Sequence, residues 1–186
     1  MARAPGNLRA AVQRRLIAPP VPGPRHRIEE LFREHSARVA RLAYRLLGRE
    51  DEVDDIVQDV FMMLYRHLDR IREPEAISAW LSTTTVRMVG RRMRLRRVGF
   101  LLRVRDRASA VELEGHAVSG EDRAALWSVH LALERVSTAS RIAWTLRYLE
   151  QERIEDVARL CGCSLSTAKR RIADAHDVVK KALGHE

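Results

Sequence analysis

The sequence predicts an all-α protein: two small helical domains joined by a linker, the second containing a helix-turn-helix. Three observations carry this. Apolar residues recur at helical spacing along most of the chain after residue 27, and no alternating strand pattern occurs. That spacing lapses over residues 98–121, which contain Gly99, Gly115 and Gly120. Finally, Ile154–Ala175 (IEDVARLCGCSLSTAKRRIADA) holds two short amphipathic patterns around a break at Gly162-Cys163-Ser164.

Residues 1–27 carry Pro5, Pro19, Pro20, Pro22 and Pro24 and no acid, the composition of a disordered basic leader. The first domain follows, over 28–97. Ile28, Leu31, Phe32, His35, Val39, Leu42, Ala43, Leu46 and Leu47 predict one helix, which Gly48 ends. Glu50, Asp51 and Glu52 then open a second helix at the end where the macrodipole favours negative charge. Its inward set is Val53, Ile56, Val57, Val60, Phe61, Leu64 and Leu68. Pro74 suits the first position of a third helix, where its missing N–H is not needed. That helix turns Ile77, Trp80, Leu81, Thr84, Met88 and Val89 inward, then presents Arg87, Arg91, Arg92, Arg94, Arg96 and Arg97 with no acid between them.

Residues 98–121 read as the linker, with Phe100, Leu101 and Leu102 apolar enough to dock in part on a neighbour. The second domain occupies 122–186. Leu126, Trp127, Val129, His130, Leu133 and Val136 mark its first helix. Ser137 caps the next, whose inward residues are Ile142, Ala143, Leu146 and Leu149. In the helix-turn-helix, Ile154, Val157, Ala158 and Cys161 share one face, and Leu165, Ala168 and Ile172 share the facing one. Gly162 suits a left-handed helix end and Ser164 a cap. The second of these helices points Ser166, Thr167, Lys169, Arg170, Arg171 and Asp174 outward, a set of hydroxyls and cations suited to a DNA major groove.

The chain of 186 residues has a formal net charge of +9 and a pI near 10.6, which favours a polyanionic partner, nucleic acid before membrane. No apolar run approaches the roughly 20 residues of a membrane span, so stable membrane insertion is not expected. Cys161 and Cys163 stand one residue apart and cannot staple a fold, which points to a reduced, cytoplasmic setting and to thiols acting as small hydrophobes. Neither a Gly-rich phosphate loop nor a nucleophile–histidine spacing occurs, so no catalytic residues, cofactor or metal are expected. Asp54, Asp55 and Asp59 lie on about one helical face, open to a divalent cation but better read as a solvated or protein-docking face. The Arg run at 87–97 suits a salt-dependent grip on phosphates. Trp80 and the loop His67–Ile77 beside it can frame a slot for an unstacked base, although its spacing equally fits the core.

In this order the parts resemble a bacterial alternative sigma factor of the extracytoplasmic-function (ECF) group, which keeps regions 2 and 4 of the sigma-70 family. The matching residues are DEVDDIVQDVFMMLYRHLDRI (51–71) and AWL (79–81) in the first domain. In the second they are ALERV (132–136), LRYLEQERIEDVARLCGCS (146–164) and LSTAKRRIADAH (165–176). The resemblance implies a non-enzymatic subunit that binds RNA polymerase core and directs promoter-specific initiation. It implies a β′ clamp-helix contact through Asp54, Asp55, Gln58, Asp59 and Met62. It implies −10 contacts through Trp80, Thr83, Arg87, Arg91, Arg92 and Arg94, where the promoter is melted. It implies a −35 reader formed by Ser164, Ser166, Thr167, Lys169, Arg170, Arg171 and Asp174. The partners implied are the polymerase core (β′ clamp helices and β flap), promoter DNA and an anti-sigma factor. The stretch Ser82-Thr83-Thr84-Thr85-Val86-Arg87 departs from the family pattern, and Arg91 stands near an expected Asp. A free-standing helix-turn-helix regulator and a degenerate sigma-like interaction protein are the competing readings.

Overall fold

The computed structural model describes residues 24–71, 73–103 and 120–184. Among these residues seven α-helices follow in order: α1 (Pro24–Leu47), α2 (Val53–His67), α3 (Pro74–Arg103), α4 (Gly120–Arg135), α5 (Thr138–Tyr148), α6 (Ile154–Leu160) and α7 (Leu165–Ala182). A 3₁₀ turn, Leu68–Arg70, links α2 to the loop before α3.

Two boundaries differ from the sequence expectation. The first helix starts at Pro24 rather than Ile28, because a proline at the first helical position has its φ already set and lacks only an N–H that would be unbonded there. The third runs beyond residue 97 to Arg103, carrying helical backbone into the expected linker. The rest of that linker (104–119) and most of the expected leader (1–23) lie outside the described residues.

The expected local signals are in place. Gly48 closes α1 at φ +70°, donating its N–H to Tyr44 O at 2.7 Å. Ser137 caps α5 by accepting from Ser140 N at 3.0 Å. Hydrophobic packing then joins the helices. Val39, Leu42, Ala43 and Leu46 of α1 meet Ile56, Val60 and Leu64 of α2 and Ile77, Leu81 and Val89 of α3. Complete burial of side chains such as Leu46 and Leu64 contributes about 1.5–3 kcal/mol each.

This core does not stop at the domain boundary. It continues through Ile142, Ala143 and Leu146 of α5 into Val157, Ala158, Leu160, Ala168 and Ile172 of α6 and α7. A second cluster, Ala132, Leu133, Trp144, Ala175 and Val179, ties α4 to α5 and α7. The two units therefore pack directly on one another. At Gly90, buried in α3, an added Cβ would come within 3.1 Å of Ile142 Cδ1, so the small residue lets α3 and α5 approach.

Polar contacts lock the same seam. Arg141 Nη2 donates to Leu47 O at 2.7 Å, and Arg45 Nη1 donates to Leu149 O at 2.8 Å and to Glu150 Oε1 at 2.9 Å. Arg97 Nη1 donates to Val136 O at 3.0 Å. At Gly48 an added Cβ would lie 2.6 Å from the His130 ring, so the residue that ends α1 also makes room for α4.

Some inward assignments are corrected. Phe32 is 46% exposed, its ring edge-on to Phe61 at 4.8 Å, because it sits at the rim of α1. Leu149 is 39% exposed, since α5 ends at Tyr148 and its helical period no longer applies. Leu165 is 40% exposed at the first turn of α7. Trp144, absent from the expected core, is buried at the centre of the second cluster.

Candidate nucleic-acid interface

The helix-turn-helix is built from local chemistry. Helix α6 ends as Cys161 and Gly162 turn, Gly162 taking φ +60°. Cys163 N then donates back to Ala158 O at 3.0 Å, satisfying a carbonyl that the helix end would leave open. Ser164 starts α7 by accepting from Thr167 N at 3.2 Å, with Ser166 Oγ and Thr167 Oγ1 at 3.0 and 2.8 Å from its hydroxyl. Burial of Ala168, Ile172, Ala175 and Val179 fixes which side of α7 faces in.

The opposite side carries every expected −35 residue. Ser164, Ser166, Lys169, Arg170 and Asp174 are exposed, and Thr167 and Arg171 are half-buried. Among the described residues, the side chains of Lys169, Arg170, Arg171 and Asp174 make no ion pair or hydrogen bond. The cations at the N-terminal half of this helix are therefore free to meet phosphate or a base edge. The thiols flank the turn half-buried, and burial pushes Cys161 up to about 11, so it stays a neutral packing group at neutral pH.

On α3 the expected −10 residues divide. Arg87, Arg91 and Arg94 are exposed and unpaired among the described residues. Arg92 is engaged: Nε donates to Glu52 Oε2 and Nη2 to Asp55 Oδ2, both at 2.6 Å. These hydrogen bonds, to Glu52 first and then Asp55, push the Arg92 guanidinium further toward its charged form. Arg96 adds a third contact, 3.2 Å from Glu52 Oε1. The pattern of exposed acids and exposed arginines hid this bridge, because its partners lie on different helices.

The hydroxyl run also resolves. Ser82, Thr84 and Thr85 are buried, so of these four residues only Thr83 remains half-exposed. Ser82 Oγ donates to Ser78 O at 3.0 Å, Thr83 Oγ1 to Ala79 O at 2.9 Å and Thr85 Oγ1 to Leu81 O at 2.8 Å, each back-bonding one turn down the helix. Arg38 of α1 bonds Ser82 Oγ at 2.7 Å and also reaches Ser78 Oγ. No local pattern could have assigned Arg38 that role.

Trp80 is half-buried, its ring centroid 6.0 Å from that of His67, whose Nδ1 lies 2.8 Å from Met63 O. The two rings flank the 3₁₀ turn and the loop to α3, leaving an aromatic edge beside the basic helix. Such a surface can take a stacked base.

On α2, Asp54, Asp55, Gln58, Asp59 and Met62 are all exposed. Met62 is 47% and Tyr65 51% exposed, placing large apolar surface among the acids. Asp54, Gln58 and Asp59 have no side-chain partner among the described residues, whereas Asp55 is held by Arg92. No group of three or more His, Cys, Asp or Glu side chains among the described residues is arranged to hold a metal ion. Nor is any helix there long and apolar enough to cross a membrane.

Residues 31–98 match the family Sigma-70 region 2, and residues 126–175 match Sigma-70, region 4. The ECF RNA polymerase sigma factor SigE of Mycolicibacterium smegmatis is 30% identical over 148 residues, covering 77% of this chain; the chain spans only 56% of that protein. The ECF RNA polymerase sigma factor SigM of Mycobacterium tuberculosis is 28% identical over 176 residues, covering 91% of this chain and 84% of that protein. Among solved structures, the sigma factor RpoE in complex with the anti-sigma factor NepR from Bartonella quintana superposes with a TM-score of 0.65 at 23% identity, over 84% of this chain and 96% of that one. CnrH in complex with the cytosolic domain of CnrY gives 0.54, also at 23% identity, over 86% of this chain and 88% of that one. At those identities the two structures share the fold.

Proposed function

Because this chain belongs to the ECF group of the sigma-70 family, we propose that it is an alternative sigma factor, a non-enzymatic subunit that binds RNA polymerase core and directs it to promoters. Two unpartnered surfaces carried by one chain support this above all. The α7 face offers Lys169, Arg170 and Arg171 to duplex DNA at the −35 element. The α2 face offers Asp54, Gln58, Asp59 and Met62 to the clamp helices of the polymerase β′ subunit. An acidic rim around exposed Met62 and Tyr65 suits a protein partner with basic edges and an apolar centre, and does not suit DNA.

The −10 contacts fall to Arg87, Arg91 and Arg94 for phosphates, with Trp80 and His67 for an unstacked base. Arg92 is assigned to structure instead, since two carboxylates already hold it. Thr83 sits at the exposed edge of the same helix. The β flap and an anti-sigma factor complete the proposed partners, and the setting is cytoplasmic.

The test is binding of the full chain to purified core polymerase. The proposal expects a complex that survives gel filtration. Replacing Asp54 and Asp59 with Asn and Met62 with Ala together should weaken it at least ten-fold while the fold is kept. Tight promoter binding by the chain alone, unaffected by core, would instead identify a free-standing regulator.

A further inference from the structure

Where the two units meet, they enclose a cleft of about 470 Å³ that neither the −35 face nor the α2 face uses. Four cations line it: Arg49, Arg96 and Arg97 from the first unit and Arg141 from the second. Among the described residues Glu134 is the only carboxylate lining it, and it lies 3.4 Å from His130 Nε2. The remaining wall includes Met93, Leu133 and Val136.

The charges are unevenly answered. Arg49 is bonded to Asp51, and Arg96 shares Glu52 with Arg92. Arg97 donates to a neutral carbonyl, Val136 O. Arg141 is only 6% exposed, its Nε has no hydrogen-bond partner, and Nη2 bonds the neutral Leu47 O. Among the described residues the only carboxylate near Arg141 is Glu134, 4.0 Å from Nη1. Burial pushes the Arg141 guanidinium below its ordinary pKa, with Glu134 opposing that. A desolvated cation without a close anion is costly, and an oxyanion in the adjoining space would relieve the cost. Guanidinium groups suit phosphate oxygens in particular.

We propose that this cleft binds a small phosphorylated anion, held by Arg49, Arg96 and Arg97 on one side and Arg141 on the other. The volume fits a ligand the size of a nucleotide, and Met93, Leu133 and Val136 provide a wall for an apolar or aromatic portion. Because the cations come from both units, the ligand bridges them. It therefore favours the packed arrangement by its difference in affinity for packed and separated units.

Binding of inorganic pyrophosphate and of ADP to the full chain is measured by calorimetry, with Tm followed in parallel. The expected result is saturable one-to-one binding that raises Tm. Arg97→Gln should weaken it at least ten-fold, while the triple variant Lys169→Ala, Arg170→Ala, Arg171→Ala leaves it unchanged. Arg49→Gln replaces Arg97→Gln if the latter loses its cooperative thermal transition. Tighter binding of ADP than of pyrophosphate assigns the apolar wall to the base; equal binding assigns the site to phosphate alone. Absence of saturable binding by either probe overturns the proposal. So does a larger loss in the triple variant, which removes more charge and would report diffuse attraction to a basic chain.

Discussion

Arg92 and Asp55 hold one another across α3 and α2, with Nη2 2.6 Å from Oδ2, while the Arg92 Nε takes Glu52 at the same distance. One residue comes from the basic run and the other from the acidic face, so each partners a charge of the other's surface. The pair therefore links α2 to α3 beside their shared apolar core, and on the proposed function the intermolecular contacts are left to Asp54, Asp59, Arg87, Arg91 and Arg94.

A double-mutant cycle checks this bridge. Glu52 is the more buried partner, with 15% of its side chain exposed against 62% for Asp55. Arg92→Gln with Glu52→Gln should show a coupling of about 0.5–1 kcal/mol in urea unfolding, and Arg92→Gln with Asp55→Asn less, because exposed pairs are screened. Arg92→Gln should lower promoter affinity less than Arg91→Gln does.

Gly48 and Gly162 form a matched comparison. Both have positive φ, so Ala at either incurs the left-handed backbone cost of about 1–2 kcal/mol. At Gly162 the new Cβ meets nothing within 4 Å, whereas at Gly48 it meets His130 at 2.6 Å and Arg141 Nη2 at 2.9 Å. Gly48→Ala should therefore lower Tm by several degrees more than Gly162→Ala. It should also increase protease cleavage of the native protein, because it forces the two units apart.

In α7, Ser164→Ala removes the hydroxyl that accepts from Thr167 N and should cost about 1 kcal/mol of stability. Arg170→Ala should leave Tm within about 1 °C, since Arg170 is exposed and surface substitutions of this kind change stability little. In complex with core polymerase, the same change should weaken −35 duplex binding. A base contact would cost about 1–3 kcal/mol and relax specificity at one position; a phosphate contact would lower the salt slope by about one. Affinity measured from 50 to 200 mM salt separates the two.

Cys161 gives a chemical check on the turn. Its thiol rises from an ordinary value of 9.0 to about 11 through burial, so its thiolate fraction at pH 8 is about 100-fold lower in the folded protein. Iodoacetamide at pH 8 should modify Cys161 far more slowly in the native protein than in urea. Raising the pH toward 11 should narrow the gap if the protein stays folded.

Local signals were the legible part of this chain. Pro74, Gly48, Ser137, Gly162 and Ser164 each act within a turn or so of their own position, and each does in the structure what its chemistry predicts. The α7 surface was legible for the same reason, because helical spacing separates Lys169 and Arg170 from Ala168 and Ile172. The seam was not. Arg141 reaches Leu47 across 94 positions, and Arg45 reaches Leu149 across 104, so no window of sequence contains both partners. The Arg92 bridge was hidden similarly: both ends looked like solvated charge, and only the packing of α2 against α3 brings them together.

Run-off transcription with core polymerase and fragments of the source genome tests the central claim most directly. The account predicts transcripts that appear only when this chain is added and start downstream of a shared pair of sequence elements. It also predicts their loss when Lys169, Arg170 and Arg171 are replaced by Ala in a chain that still binds core. Core binding with no chain-dependent transcript from any fragment, or transcripts indifferent to that triple replacement, would contradict it.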